Sequence, residues 1–277
     1  MLKNVVYFLL PVVLSARCGD NGCRQIPSSR IMGGDITEEH SRPFQVALYS
    51  RVGATGELGF CGGSLLHPQW VLTAAHCCFH DGQQVDHVQA ILGAHSLYDR
   101  YENGRRVVNV EDIEVHPGWD ATTYANDLAL LKLANIVQLT ETVNAARLPY
   151  LRIADFNYAG LRGTVSGWGI ASPSVTFVSP TLRQKFMTVM TDQFCNAEYA
   201  GQLPDNIVCG FNNTAGTCKG DNGGPLTIFW NATEETILIG VASFVDVSGC
   251  NEERPSVFTR VQRYLPWISE VTGIILD

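Results

Sequence analysis

Charge is scarce in this chain. Asp, Glu, Lys and Arg make up 17% of its 277 residues, and the formal net charge is −8. No Lys/Arg run exceeds two residues, so nucleic acid and anionic membrane are poor candidate partners. No internal sequence repeat, low-complexity tract or charged linker divides the chain. After the first residues no apolar run approaches the roughly 20 residues needed to span a bilayer. The low charge, 26 glycines and 45% hydrophobic content argue against a helical bundle or a disordered chain. They fit a loop-rich, all-β protein with one substantial core or two fused smaller ones.

The N-terminus reads as a targeting segment. Lys3 precedes an apolar stretch from Val5 to Leu14, followed by the small residues Ser15 and Ala16. This is the pattern of a signal peptide over 1–16. Nine cysteines behind such a leader point to disulfides in an oxidising, extracellular compartment. The triplets beginning at Asn212 and Asn231 are acceptor sequences for N-glycosylation, which agrees weakly with secretion. A short polar segment, Arg17 to Arg30, follows the leader. Without residues 1–30 the chain keeps 15 basic and 26 acidic residues, a net charge of −11.

Many short runs have β composition: Phe44–Leu48, Trp70–Thr73, Val88–Leu92, Leu128–Leu133, Thr164–Ser166, Leu226–Trp230 and Thr236–Phe244. Gly, Pro and Asn/Asp punctuate the gaps, as in a barrel or sandwich. At the end, Tyr264, Trp267, Ile268 and Val271 recur at helical spacing, which predicts an amphipathic helix over 263–272.

Three distant segments carry the chemistry. In Trp70-Val71-Leu72-Thr73-Ala74-Ala75-His76-Cys77 a histidine follows a β run beside a cysteine, with Cys61 nearby. Alone, such a histidine is more often structural than catalytic. In Asn126-Asp127-Leu128-Ala129-Leu130-Leu131 a carboxylate opens an apolar strand, where it is costly unless paired. Alone it reads equally as a turn cap. In Cys218-Lys219-Gly220-Asp221-Asn222-Gly223-Gly224-Pro225 the glycines permit a tight turn that aims two N–H groups at one point.

Together with Ile31-Met32-Gly33-Gly34 and Ser166-Gly167-Trp168-Gly169, these segments resemble the trypsin/chymotrypsin family of serine proteases, from Ile31 to about Thr272. The resemblance implies a signal peptide, a pro-segment over 17–30 and a protease domain over 31–277. That domain is all-β, two six-stranded antiparallel β-barrels with the active site between them. His76 is then the general base, Asp127 fixes its tautomer, and the backbone N–H groups of Gly220 and residue 222 form the oxyanion hole. No cofactor is implied.

The departure is at the nucleophile. The family has Gly-Asp-Ser-Gly-Gly-Pro and this chain has Gly-Asp-Asn-Gly-Gly-Pro. A hydroxyl can pass its proton to histidine while attacking a carbonyl carbon. A carboxamide cannot, because its nitrogen lone pair is delocalised. Asn222 can hydrogen-bond His76 but cannot form an acyl-enzyme, so a non-catalytic homologue is expected. The alternative is an active endopeptidase of chymotrypsin or elastase type, which requires a serine at 222.

The resemblance carries further expectations. Cleavage at Arg30-Ile31 by a trypsin-like protease would free an amine at Ile31 to pair with Asp221. The specificity pocket has Gly216 at its base, Val245 and Ser256 at its walls and Ser243 beside it. Disulfides join Cys61–Cys77, Cys195–Cys209 and Cys218–Cys250. Cys18 pairs with Cys23, or one of them with Cys78, and one thiol is left for an intermolecular bridge. Where the family places a calcium loop, Ala94-His95 replace an acidic ligand, so no metal is expected. Expected partners are protein: protease inhibitors, proteases or other polypeptides. Ser243-Phe244 and the stretch from Cys250 to Arg260 look closest to arthropod chymotrypsin-like enzymes.

Overall fold

The computed structural model describes residues 34–53, 56, 58–153, 155–170, 177–213, 216–244 and 254–276. The leader, Arg30, Ile31, Val245 and Cys18, Cys23 and Cys250 lie outside them.

Twelve strands form two closed antiparallel barrels. The first comprises β1 (Gln45–Arg51), β2 (Gly59–His67), β3 (Trp70–Thr73), β4 (His87–Leu92), β5 (Arg106–Val115) and β6 (Ala129–Leu133). The second comprises β7 (Arg162–Gly167), β8 (Arg183–Val189), β9 (Ile207–Phe211), β10 (Pro225–Trp230), β11 (Glu235–Phe244) and β12 (Ser256–Arg260). Around the first barrel the order is β1-β2-β3-β6-β5-β4, and around the second β7-β8-β9-β12-β11-β10. The two orders are the same. A structural duplication thus stands where the sequence carries no visible repeat, because barrel closure constrains which positions face inward and not which apolar residue fills them. The short strand Asp35–Ile36 adds to the outside of β8.

Each barrel has its own core: Val46, Leu48, Leu65, Val71, Ala90, Leu92 and Leu131 fill the first, and Tyr158, Val165, Leu226, Ile228, Ile239 and Phe258 the second. A third cluster joins them. Phe44, Leu66, Trp70, Leu72, Leu128 and Leu130 meet Leu238 and Val241, and the C-terminal segment closes this seam with Val261, Tyr264, Leu265 and Ile268. The C-terminal helix is α-helical only over Leu265–Thr272, after a 3₁₀ turn at Val261–Tyr264. Gly273 ends it at φ 72°, a backbone setting that costs glycine little. A second helix, Asp192–Glu198, begins where the Thr191 hydroxyl accepts the Phe194 N–H, an N-cap. Its sequence carries no long apolar period, and no helix is expected there from pattern alone.

Candidate active site

The strand end at Thr73 runs into a 3₁₀ turn, Ala75–Cys78, which sets His76 on the seam between the barrels. Ala74 and Ala75 are fully buried, and the Cys61–Cys77 disulfide ties the turn to β2. Asp127 approaches from the loop before β6, where Tyr124 and Asn126 both have positive φ. The Asn126 carboxamide holds that loop by donating to Gly118 O at 2.7 Å, while its Oδ1 accepts from the Tyr264 hydroxyl at 2.9 Å.

Asp127 is completely buried, a costly position for a carboxylate without partners. It has three donors. The His76 backbone N–H reaches Oδ1 at 2.9 Å, His76 Nδ1 lies 2.8 Å from Oδ2, and the Ser243 hydroxyl donates to Oδ2 at 2.5 Å. This geometry places the Nδ1 proton toward Asp127 and leaves Nε2 facing the cleft. Among the described residues the one hydrogen-bonding contact of Nε2 is Cys77 Sγ, at 3.8 Å.

The segment Gly220 to Gly224 closes the other side. Asn222 O accepts from Gly62 N–H of β2 at 2.7 Å, and Gly223 N–H donates to Ala242 O at 2.7 Å. Gly223 has φ 76°, and a Cβ there would lie 2.2 Å from Thr73 Oγ1. The N–H groups of Gly220 and Asn222 have no acceptor among the described residues. Asn222 is half-buried. Its carboxamide makes no hydrogen bond among the described residues, to His76 or to any other group.

Asp221 points away from the cleft. It is buried, its Oδ1 accepts from Gly169 N–H at 2.8 Å and its Oδ2 from Cys218 N–H at 3.0 Å. Burial pushes its carboxyl up to about 6, against the pull of those two amides. The glycines of Ser166-Gly167-Trp168-Gly169 have a steric reason: a Cβ on either would sit 2.2 Å from an Asp221 oxygen.

Two predicted pocket residues, 40 positions apart, meet. Ser256 Oγ accepts from Thr217 N–H at 3.0 Å, and a Cβ on Gly216 would lie 3.3 Å from it. The serine hydroxyl therefore stands beside Gly216. Sequence reading missed an aromatic wall beside His76. Tyr124 lies 5.6 Å from the His76 ring, 5.5 Å from Trp119 and 5.6 Å from Phe244, which lies 6.0 Å from Tyr199. The available signal was two aromatics, Trp119 and Tyr124, in the otherwise polar loop before Asp127.

Cys195–Cys209 is bonded, and Cys218 is bonded to a partner outside the described residues. Cys78 rules out one of the two pairings left open, the one that bridges it to Cys18 or Cys23. It is a free thiol, 1% exposed in the first barrel's core. Burial, with Asp127 second, pushes it up to about 12. Its burial speaks against the intermolecular bridge. Asn231 is exposed in the β10–β11 hairpin, whereas Asn212 spends its amide on Phe186 O at 2.7 Å. In the loop after Leu92-Gly93, Arg105 donates to Ser96 O and Leu97 O at 2.9 and 3.3 Å, and Glu102 accepts the N–H groups of His95 and Ser96. The cluster of Cys61, His76 and Cys77 offers no metal site, since both sulfurs are spent in their disulfide.

The Trypsin family model matches residues 31–268. This chain is a member of the trypsin family. Among its relatives, brachyurin of Leptuca pugilator is 35% identical over 88% of this chain and 99% of its own. Chymotrypsin of Phaedon cochleariae is 34% identical over 87% and 82%. The solved structure of HL collagenase superposes with a TM-score of 0.76 at 32% identity, covering 88% of this chain and 99% of that one. Membership places this trypsin-family chain among serine endopeptidases by descent, and its pair of six-stranded barrels is that of its solved relative. No helix among its described residues is long and apolar enough to cross a membrane.

Proposed function

We propose that this trypsin-family protein is secreted and non-catalytic, and acts by binding polypeptides in the cleft its relatives use. One observation carries the reading. A carboxamide, Asn222, stands where the family's motif has serine, while the chain of Ser243, Asp127 and His76 is otherwise complete. In the family's reaction His76 would take a proton from a hydroxyl as that oxygen attacks. Asn222 has no such proton to give. Loss of the nucleophile costs on the order of 10⁶ in turnover, about 8 kcal/mol of barrier. What remains is recognition: an aromatic wall, a pocket at Gly216 and Ser256, and free N–H donors at the centre.

The partners are protein: inhibitors, proteases or other polypeptides, with no role for nucleic acid or membrane. A trypsin-like protease cutting after Arg30 would supply the Ile31 amine for Asp221. Glycosylation belongs at Asn231, where the side chain is exposed. Inhibitor class tests the reading. A rigid inhibitor that docks in the cleft should bind reversibly, and a serpin, which requires acylation, should form no covalent complex. A stable serpin complex would sink it and favour an active endopeptidase.

A further inference from the structure

The turn at residue 222 holds several donors without an acceptor among the described residues. Gly220 N–H and Asn222 N–H have no acceptor among the described residues, and the Asn222 carboxamide has no partner there. Gly62 and Ala242 fix the turn by holding Asn222 O and Gly223 N–H. His76 keeps Nε2 without an oxygen or nitrogen partner among the described residues, and buried Asp127 stands behind its Nδ1.

A peptide carbonyl has one oxygen and satisfies only the two backbone donors. A carboxylate has two oxygens and a full charge. One oxygen takes the backbone N–H groups, and the other takes the Asn222 Nδ2–H. Charge-assisted bonds of this kind are roughly twice as strong as neutral ones. Asp221, the nearest other carboxylate in sequence, is turned away onto Gly169 and Cys218 and does not oppose an anion in the cleft. We infer that the cleft is a receptor for the free C-terminal carboxylate of a polypeptide, the end that another protease leaves after cutting. The inference rests on the non-catalytic reading above. A serine at 222 would supply a single hydroxyl and a route to acylation, whereas asparagine supplies an amide donor and no chemistry.

The test uses the full-length protein, before and after trypsin cleavage at Arg30, and two fluorescein-labelled Ala-Ala-Pro-Ala peptides. One ends in a carboxylate and the other in a carboxamide. Fluorescence anisotropy should show the carboxylate bound at least tenfold more tightly, about 1.4 kcal/mol, by one or both forms. Asn222→Ala should cut that preference, and Asn222→Asp should abolish or reverse it by like-charge repulsion. Equal binding of both peptides would overturn the carboxylate inference and leave cleft binding standing. So would failure to bind either peptide while a rigid cleft inhibitor still binds. Loss of the inhibitor as well, or release of ammonia from the carboxamide peptide, would overturn the non-catalytic binding reading itself.

Discussion

Ser243 Oγ and His76 Nδ1 share one oxygen, Asp127 Oδ2, at 2.5 and 2.8 Å. Because Asp127 is fully buried, each donor offsets part of the cost of its charge. Ser243→Ala removes one of them without adding a charge. It should lower unfolding free energy by about 1.5–3 kcal/mol, the range for a hydrogen bond to a charged group. Urea denaturation measures this as a lower midpoint at unchanged slope.

Asp221 gives the protein a signature in acid. Its carboxyl is raised to about 6 in the fold and lies near 3.9 in an unfolded chain. Between those values the folded state holds the extra proton. This group's contribution therefore falls as pH rises from about 4 to 6 and is flat above, by about 3 kcal/mol in all. Asp221→Asn should lack that slope in denaturation curves taken across the window. Cleavage at Arg30 should also remove it if the Ile31 amine then pairs with Asp221, because a cation partner lowers the carboxyl again.

Glycine positions separate crowding from backbone strain. Gly223 and Gly273 share a positive φ, but a Cβ on Gly223 meets Thr73 and Gly62 whereas one on Gly273 meets open space. Gly273→Ala should cost about 1 kcal/mol, the conformational term alone. Gly223→Ala should cost more than twice that. Thermal melts of the two variants compare them directly.

Arg105 braces the loop after Leu92-Gly93, bonded to Ser96 O and Leu97 O. Calcium or a chelator should leave the melting temperature of the wild-type protein unchanged. Arg105→Ala should lower stability by about 1–2 kcal/mol through two lost carbonyl partners.

Much of this was legible in the chain. Trp70–Thr73 and Leu128–Leu133 read as strands because both sides of each are buried and continuous apolar runs result. Arg106–Val115 did not, since most of its side chains face solvent and its Glu111, Asp112 and Glu114 resemble a loop. His76, Asp127 and the Gly220 turn were recognisable because tight turns and a buried carboxylate demand particular residues. The wall formed by Trp119, Tyr124, Phe244 and Tyr199 was not, because only the fold brings positions 119–124 against 199 and 244. Cys78 escaped for a similar reason: spacing cannot tell a core thiol from a bridging one.

The most direct measurement compares the protein with its Asn222→Ser variant after trypsin cleavage and removal of the trypsin, by fluorophosphonate labelling and turnover of amide substrates. Labelling and turnover in the serine variant alone, with a gap on the order of 10⁶ in rate, is the predicted result. Turnover by the unaltered protein would contradict the account and require a nucleophile other than residue 222.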